Sequence, residues 1–264
     1  MRRVGFIGVG NMGSALLRGM LAEGTLLPGD ALTFDADADK NARLARELGV
    51  TAAPSAEALV HGAELVVLAV KPDKAPGVLE SLRPALTDAK TLLSVVLGLD
   101  ISSMDGMTGG RCRVIRCMPN TPALVGAGMI CLAFGRGFER DERESVTELL
   151  SSCGAVEVMD ERYLERVTAL TGSSPAYVFI MLEAMADAAV RNGLPRDMAY
   201  RLAAQAVSGS AKMALETGAH PAALKDGVCS PGGSTIEAVR VLENRGFRSA
   251  LIEAMIACDE SVRK

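Results

Sequence analysis

Three glycines near the beginning of the chain have the spacing of a phosphate-binding loop. Gly8, Gly10 and Gly13 form G-x-G-x-x-G between an apolar run and a segment of helical character. Glycines at these positions allow a tight turn, close approach of a pyrophosphate and close helix–strand packing. The N–H groups that begin the helix then face the anion. The pattern predicts a dinucleotide site that includes Asn11 and Met12; a purely structural glycine turn is the alternative.

A second segment that combines glycines with hydroxyls lies far along the chain, at "SPGGST" (residues 230–235). One dinucleotide needs one pyrophosphate loop, so we expect Gly232 and Gly233 to hold a different anion, the carboxylate of a small substrate. Ser234 and Thr235 then bring hydroxyls to a polar atom beside that carboxylate. The alternative is a plain helix start, because Ser234 and Glu237 fit the capping box S-x-x-E. A capping box, however, leaves both glycines and Thr235 unexplained.

Asp35 ends the second predicted strand, about 20 residues after Gly13, where an acidic group accepts hydrogen bonds from the adenosine ribose hydroxyls. A carboxylate there repels a 2′-phosphate. No arginine follows closely, since the next charged residues are Asp37, Asp39 and Lys40. Asp35 therefore favours NADH over NADPH; the alternative is that it only caps the turn.

Ligands of open α/β sheets bind at the carboxyl ends of the strands, and three further predicted strand ends carry polar or proline-rich segments. These ends are "VVLG" (residues 95–98), "CMPNTPA" (residues 117–123) and "AVKP", which consists of Ala69, Val70, Lys71 and Pro72. We assign "AVKP" to the cofactor site, although a lysine at a strand end is more often only solvated. Asn120 can donate and accept hydrogen bonds, which suits the nicotinamide carboxamide. An Asx-type turn between Pro119 and Pro122 is the alternative.

These groups need a scaffold that brings strand ends together. Short β-branched runs alternate with helical patterns over roughly the first 155 residues, which favours an α/β fold with a doubly wound parallel sheet. The predicted strands are "RVGFIGV", "ALTFD", "AELVVLAV", "KTLLSVV", "RVIRCM" and "GMICLAF". Helices are predicted over residues 13–22, 39–48 and 139–152.

The remainder of the chain has no strand pattern after about residue 160. Long helices are predicted over residues 174–192 and 195–217, and shorter ones begin at residues 221, 234 and 247. These helices are apolar around much of their circumference, which indicates burial on more than one side and hence a subunit interface. We therefore predict two domains, an α/β domain over residues 1–158 and an all-α domain over residues 159–264.

Composition excludes several classes of function. The 28 basic and 32 acidic residues give a net charge of −4, aromatic residues make up 3%, and tryptophan is absent, so we expect no nucleic-acid partner. No apolar run reaches the ~18 residues of a membrane span, and we expect no membrane association. Six cysteines without C-x-x-C spacing and two histidines predict no metal site. The sequence opens on a strand-like run rather than a signal peptide, so we expect a cytoplasmic protein.

The quoted motifs, taken in order, resemble those of the pyrroline-5-carboxylate reductase family over nearly the whole chain. The matching segments include "GFIGVGNMG", "RVIRCMPNTP", "TGSSPAY", "GLPRDMAYRLAAQAVSGSAKM" and "LKDGVCSPGGSTIEAVRVLE". The resemblance implies a Rossmann-type domain followed by an all-α dimerisation domain, which interlocks with a partner subunit and completes the substrate site. It also implies a homodimer, with dimers often assembled into a larger ring such as a decamer.

The activity implied by the resemblance is reduction of a cyclic imine, 1-pyrroline-5-carboxylate, to L-proline by NADH or NADPH, the last step of proline biosynthesis. A protonated imine needs little further acid catalysis, so the protein mainly positions the reactants. Ser234 and Thr235 are the catalytic candidates, because either hydroxyl can hydrogen-bond or orient the ring nitrogen. Ser173 and Tyr177 are predicted to line the substrate pocket, although Tyr177 suits the core of its helix equally well.

The chain departs from the family's pattern at four positions. Ser174 stands where the second glycine of "GSGPAY" is usual, and Ala56 stands where some members have an asparagine that contacts the cofactor ribose. Some members carry serines at the position of Asp35 and use NADPH. Ser234 replaces a common threonine and keeps the hydroxyl. Of the properties that the resemblance implies, the cofactor preference is therefore the least transferable to this chain.

Two other classes of protein fit parts of the pattern. A β-hydroxyacid dehydrogenase shares the first loop but uses a lysine on an interdomain helix as acid–base catalyst, and Lys212 is the lysine within the two long helices of the second half. A dinucleotide sensor would need no second loop at residues 230–235. Oxidation of NADH on addition of pyrroline-5-carboxylate separates both classes from an imine reductase.

Overall fold

The computed structural model describes residues 3–262. The chain divides into two compact units, of which the first ends at Ser173 and the second begins at Ser174. This division lies after the predicted boundary between residues 158 and 159, because the short helical turns that follow the last strand pack with the first unit.

The first unit is built on one eight-stranded sheet with the order β3-β2-β1-β4-β5-β6-β7-β8. The strands are β1 (Val4–Ile7), β2 (Ala31–Phe34), β3 (Thr51–Ala52), β4 (Leu65–Leu68), β5 (Thr91–Ser94), β6 (Arg113–Met118), β7 (Gly128–Phe134) and β8 (Gly154–Val158). The six predicted strands are all confirmed. The sequence pattern missed β3 and β8, which lie at the two edges and carry half-buried or exposed side chains.

One strand pair departs from the expected parallel sheet. β7 runs antiparallel to β6, and β8 then runs parallel to β7. The connection between β6 and β7 spans residues 119–127 and holds only a 3₁₀ helix, Thr121–Val125. A parallel return needs a crossover of roughly a dozen residues or more, so the chain can only reverse direction here.

Helices cover both faces of the sheet, as a doubly wound fold requires. They are α1 (Asn11–Ala22), α2 (Ala38–Leu48), α3 (Ala56–Gly62), α4 (Ala75–Leu82), α5 (Ile101–Thr108) and α6 (Arg140–Ser151). Leu65 and Val67 of β4 belong to one apolar cluster, whereas Val66 and Leu68 belong to the other. Successive side chains of a strand point to opposite faces, so the two clusters lie on the two sides of the sheet.

The second unit consists of helices. They are α7 (Ser174–Arg191), α8 (Arg196–Thr217), α9 (Pro221–Val228), α10 (Ser234–Asn244) and α11 (Phe247–Val262), close to their predicted bounds. Among the described residues of this unit, the buried hydrophobic side chains are three alanines, Ala186, Ala199 and Ala203. Large apolar side chains are exposed instead on every helix of the unit. In the described part of the chain, no helix is both long enough and apolar enough to span a membrane.

Candidate cofactor and substrate sites

The three glycines of the first loop serve two different purposes. Gly8 has a φ of +93°, and a Cβ there would lie 2.5 Å from the carbonyl oxygen of Ala69. A Cβ on Gly13 would lie 2.2 Å from the carbonyl oxygen of Gly8. A Cβ on Gly10, by contrast, would meet nothing within 4 Å. Gly8 and Gly13 are therefore required by the protein's own packing, whereas Gly10 leaves space beside the loop for a ligand.

Helix α1 begins at this open position. Gly10 is its N-cap, with φ −71° and ψ −165°, and no side chain caps the helix. The first N–H groups of a helix have no acceptor within it, and those of Asn11, Met12 and Gly13 find none elsewhere in residues 3–262. Together with the positive end of the helix dipole, they favour an anion such as a pyrophosphate.

Asp35 follows β2 directly and holds the loop in place. Its carboxylate accepts hydrogen bonds from the backbone N–H of Val9 at 2.8 Å and that of Asp37 at 3.0 Å. Burial tends to raise the pKa of this carboxyl, but the two backbone hydrogen bonds and the contact with Lys40 outweigh burial, so the pKa of Asp35 lies below its ordinary value. Asp35 is thus ionised near neutral pH and performs the turn-capping function, while the predicted contact with the ribose hydroxyls stays a prediction.

Lys40 is the partner that sequence reasoning did not assign to Asp35. Its Nζ lies 3.0 Å from Oδ2 of Asp35, and the Asp35 side chain is only 14% exposed. The five-residue separation places Lys40 in the first turns of α2, where its side chain reaches back to the end of β2. The predicted repulsion between Asp35 and a 2′-phosphate is therefore weakened by a cation at the same place.

The end of β4 lies against the first loop. The N–H of Ala69 donates to the carbonyl of Ile7 at 2.8 Å, and Ala69 is also the neighbour that a Cβ on Gly8 or Gly13 would strike. Val70 is half-buried, whereas Lys71 and Pro72 are exposed. The structure therefore brings Ala69, the glycine loop and Asp35 together at adjacent strand ends, and leaves Lys71 in solvent.

Asn120 is bonded at both ends of its side-chain amide. Its Nδ2 donates to the carbonyl of Thr171 at 2.8 Å, and its Oδ1 accepts from the N–H of Met129 at 2.8 Å. The alternative of an Asx-type turn is wrong. Such a turn needs the N–H of the residue two positions on, which is Pro122 and has none, and both bonds of the Asn120 side chain go to residues outside its loop. The predicted contact with the nicotinamide carboxamide stays a prediction, and it would compete with these two bonds.

The second loop opens with a turn that accounts for both of its glycines. The N–H of Gly233 donates to the carbonyl of Ser230 at 3.0 Å, and Gly232 has a φ of +69°. Proline in the second position and glycine with positive φ in the third are the pattern of a type II turn. A Cβ on Gly233 would lie 2.5 Å from Oγ of Ser230. The geometry of the turn therefore explains why both positions are glycine, whether or not a ligand also approaches the loop.

The capping box that was the plain alternative for this loop is not formed. Helix α10 begins at Ser234, its N-cap is Gly233, and no side chain caps it. The carboxylate of Glu237 instead accepts from Nε of Arg240 at 2.9 Å. Ser234 and Thr235 make no side-chain hydrogen bond to any of the described residues. The two hydroxyls and the first N–H groups of α10 therefore lie at the same helix start and have no hydrogen-bond partner among the described residues.

The segment before α7 carries the remaining predicted residues. Residues Thr168–Gly172 form a π-helix, a rare conformation that is frequent at functional sites. Ser173 follows it directly, and both Ser173 and Tyr177 are half-buried. Their predicted place in the substrate pocket stays a prediction. Ser174, which replaces the family's glycine, is the first residue of α7.

Lys212 does not have the surroundings of a catalytic acid–base. Its side chain is 72% exposed on α8, and its Nζ lies 3.6 Å from a carboxylate oxygen of Glu216, one turn further along the same helix. An exposed lysine that is paired with a carboxylate of its own helix disfavours the hydroxyacid dehydrogenase interpretation.

Two family models match the chain. Residues 161–264 match the model described as pyrroline-5-carboxylate reductase dimerisation, and residues 3–98 match the model described as NADP oxidoreductase, coenzyme F420-dependent. The pyrroline-5-carboxylate reductase of Escherichia coli (strain K12) is 46% identical over 263 residues, which is 100% of this chain and 98% of that relative. The chain belongs to the pyrroline-5-carboxylate reductase family.

Solved structures of the same family agree with this assignment. The pyrroline carboxylate reductase of Plasmodium falciparum, described with NADP bound, superimposes with a TM-score of 0.89 at 31% identity and covers 98% of this chain and 96% of that one. The pyrroline-5-carboxylate reductase of Coxiella burnetii has a TM-score of 0.89 at 32% identity, with 99% and 97% covered. These findings confirm the family, the fold class and a nicotinamide-dependent oxidoreductase.

The rejected alternative shares only the fold. A 3-hydroxyisobutyrate dehydrogenase of Mycobacterium tuberculosis has a TM-score of 0.53 at 16% identity. Members of the pyrroline-5-carboxylate reductase family, by contrast, match this chain from end to end, including the loop at residues 230–235.

Proposed function

We propose that this chain catalyses the NAD(P)H-dependent reduction of 1-pyrroline-5-carboxylate to L-proline. The observation that carries the proposal is the start of α10, where the hydroxyls of Ser234 and Thr235 have no partner among residues 3–262 and lie beside the first N–H groups of the helix. The substrate combines a carboxylate with an imine nitrogen on one small ring, and this loop offers donors and acceptors for both. We assign the pyrophosphate of the cofactor to the first loop, where Gly10 leaves space for a ligand.

The chain's contribution to this reaction is binding and orientation. A bound nicotinamide supplies the hydride for the imine carbon. The N–H groups of Ser234 and Thr235 and the positive end of the α10 dipole hold the carboxylate. The hydroxyl of Ser234 or Thr235 accepts a hydrogen bond from the protonated ring nitrogen, which keeps the imine cationic and its carbon electrophilic. Ser173 and Tyr177 line the pocket around the ring.

The experiment that tests this function is a steady-state assay of the purified chain with NADH or NADPH. Absorbance of the reduced cofactor should fall on addition of pyrroline-5-carboxylate, and L-proline should accumulate in equal amount. A 3-hydroxy acid with the oxidised cofactor serves as the control for the hydroxyacid dehydrogenase class and should give no turnover. Cofactor binding without turnover on either substrate would contradict the proposal and indicate a sensor.

The preference between the two cofactors is a finer part of the proposal. We infer that NADH is preferred, because Asp35 is ionised, partly enclosed and fixed by two backbone N–H groups, so it cannot turn away from a 2′-phosphate. Lys40 limits that preference by partly neutralising the carboxylate. NADPH is then a usable but poorer cofactor.

This gives a prediction for two substitutions with opposite effects. Asp35→Asn keeps the shape of the side chain and one of the two acceptor oxygens but removes the charge, so the ratio of kcat/KM for NADPH over NADH should rise by about tenfold, or ~1.4 kcal/mol. Lys40→Met should lower the same ratio. Arg46→Met, which removes a charge from an exposed position of the same helix, is the control and should leave the ratio unchanged. A wild-type preference for NADPH of about tenfold or more would refute the assignment of Asp35.

Self-association follows from the helical unit, and the proposed unit of assembly is a homodimer. Among the described residues of the helical unit, the buried hydrophobic side chains are three alanines, while long apolar side chains such as Ile180 and Ile252 are exposed. A core of that size does not stabilise five helices. We propose further that dimers assemble into a larger ring.

The proposed setting is the cytoplasm, a reducing compartment that suits the four buried free thiols Cys112, Cys117, Cys131 and Cys153.

Sedimentation at low micromolar concentration should therefore show dimers or larger species and no folded monomer. Ile180→Glu should release monomer, because an unpaired carboxylate is costly to bury in an apolar interface. Leu27→Glu is the matched control: Leu27 is 62% exposed in the first unit, close to the 66% of Ile180, and its replacement should leave the assembly intact. A compact, active wild-type monomer would contradict the proposal.

A further inference from the structure

The π-helix before Ser173 contains a carbonyl that the helix itself cannot satisfy in the ordinary way. The N–H of Ser173 donates to the carbonyl of Thr168 at 2.9 Å, the wide spacing of a π-helix. In an α-helix the carbonyl of Thr171 would accept from the residue four positions on, which is Pro175 and has no N–H. A backbone carbonyl in a half-buried place needs another donor.

Asn120 supplies that donor. Its Nδ2 lies 2.8 Å from the carbonyl oxygen of Thr171, across 51 positions of sequence. The Asn120 side chain is 8% exposed, so water does not compete freely for the bond. Its Oδ1 is fixed in turn by the N–H of Met129 at the start of β7. The amide therefore joins the π-helix to the rigid end of the sheet.

The loop that carries Asn120 is itself stiff. Asn120 stands between Pro119 and Pro122, directly after the buried strand β6. Its carbonyl accepts from the N–H of Ala123 at 3.1 Å, and the carbonyl of Pro122 accepts from Ala127 at 3.1 Å. A donor on such a loop can define the position of the group that it binds.

Strand β6 also holds the beginning of the same segment. Arg116, which is 3% exposed, lies 3.4 Å from a carboxylate oxygen of Glu161 and 3.1 Å from one of Glu165. The segment from residue 161 to the π-helix is thus held at its start by Arg116 of β6 and at its end by Asn120, in the loop that follows β6. Ser173 lies two residues after Thr171, the last residue held in this way.

We propose that Asn120 is a positioning residue for the imine: through the carbonyl of Thr171 it fixes the π-helix and thereby the place of Ser173. This inference rests on the proposed function, because Ser173 is assigned there to the substrate pocket. It gives Asn120 a role different from the contact with the nicotinamide that its residue type predicts. If Asn120 positions the imine site, removing its donor weakens binding of the imine. If it contacts the nicotinamide, removing its donor weakens binding of the cofactor.

The test uses the full-length chain and two matched substitutions. Asn120→Asp keeps the shape and the acceptor for Met129 but replaces the donor to Thr171 with an oxygen. Asn41→Asp is the control, because Asn41 is also buried, at 5% exposure, and donates to a backbone carbonyl, that of Thr33, at 3.2 Å. Asn120→Ala serves where the aspartate variant fails to fold.

Removing the donor at Asn120 should raise KM for the imine by about tenfold and change the Kd of the reduced cofactor by no more than about twofold. Amide hydrogen exchange over residues 168–173 should become faster in the same variant. The control should lower the melting temperature without either effect. The exchange readout needs no substrate, so it stands even where the wild type proves not to reduce the imine. A loss of cofactor affinity equal to the loss for the imine, unchanged exchange, or the same imine defect in the control would each overturn the proposal.

Discussion

Replacing Gly10 with threonine should weaken binding of the reduced cofactor by about 100-fold, or ~2.7 kcal/mol, and should leave the melting temperature of the apoprotein unchanged. The backbone of Gly10 has φ −71° and ψ −165°, which any residue adopts, and a Cβ there meets no protein atom within 4 Å. Threonine is also an acceptable N-cap, so α1 is not weakened. A loss of cofactor affinity would therefore result from a clash between the threonine side chain and the bound cofactor, and not from damage to the protein's own packing.

Two further glycines make this prediction selective. Gly29→Thr is the matched control, because a Cβ at Gly29 also meets nothing within 4 Å, and it should change neither affinity nor stability. Gly13→Thr should behave in the opposite way and destabilise the fold, since its side chain would collide with the carbonyl of Gly8. Isothermal titration with NADH and a thermal melt on all three variants decide the matter. Unimpaired binding in Gly10→Thr would show that the pyrophosphate lies elsewhere.

Removing the hydroxyls at the start of α10 should damage catalysis and spare cofactor affinity. At least one of Ser234→Ala and Thr235→Ala should lower kcat/KM for the imine by roughly 10- to 100-fold, as expected for a lost hydrogen bond of ~1.5–3 kcal/mol to a charged group. Neither should shift the melting temperature much, because Gly233 is the N-cap and neither hydroxyl bonds to another described residue. Variants of Gly233 would be ambiguous, since a side chain there strikes Ser230.

Ser55→Ala provides the reverse pattern as a control. Ser55 is a true N-cap, whose side chain accepts from the N–H of Ala58 at 3.0 Å. Its replacement should cost about 1 kcal/mol of stability and leave imine kinetics of the folded enzyme unchanged. If Ser234→Ala and Thr235→Ala matched Ser55→Ala in both measurements, the second loop would be only a helix start.

The parts of the fold that could be predicted are those whose signal is continuous in sequence. β4 is buried along its whole length, from Leu65 to Leu68, and such a run reads as a strand without further context. The first loop is equally local, because turn, anion contact and helix start lie within six residues. β3 and β8 lie at sheet edges, where side chains are partly exposed and the apolar pattern fades.

The direction of β7 was within reach of the sequence. Only nine residues separate β6 from β7, and a parallel crossover needs roughly a dozen or more. An argument from connection length would have predicted the reversal that the apolar pattern alone did not. The pattern reports burial, whereas strand direction depends on the path of the chain between strands.

Contacts within the sites were harder to predict, because most depend on groups that only the fold brings together. The bond from Asn120 to Thr171 spans 51 positions, and no local pattern reports it. The capping box failed for a related reason: the type II turn of residues 230–233 fixes Gly233 as N-cap, which the motif S-x-x-E does not take into account. Glu237 then pairs with Arg240 on its own helix.

The nearly coreless helical unit also determines how this protein must fold. The five helices bury only three alanines among the described residues of one copy, so they gain most of their apolar cover when two chains meet. Folding and association then become a single event. Recovery of activity from denaturant should then follow second-order kinetics at low protein concentration, and the melting temperature should rise with concentration. Newly made chains must find one another before their helices are stable, so the rate at which active enzyme forms is tied to how fast it is synthesised.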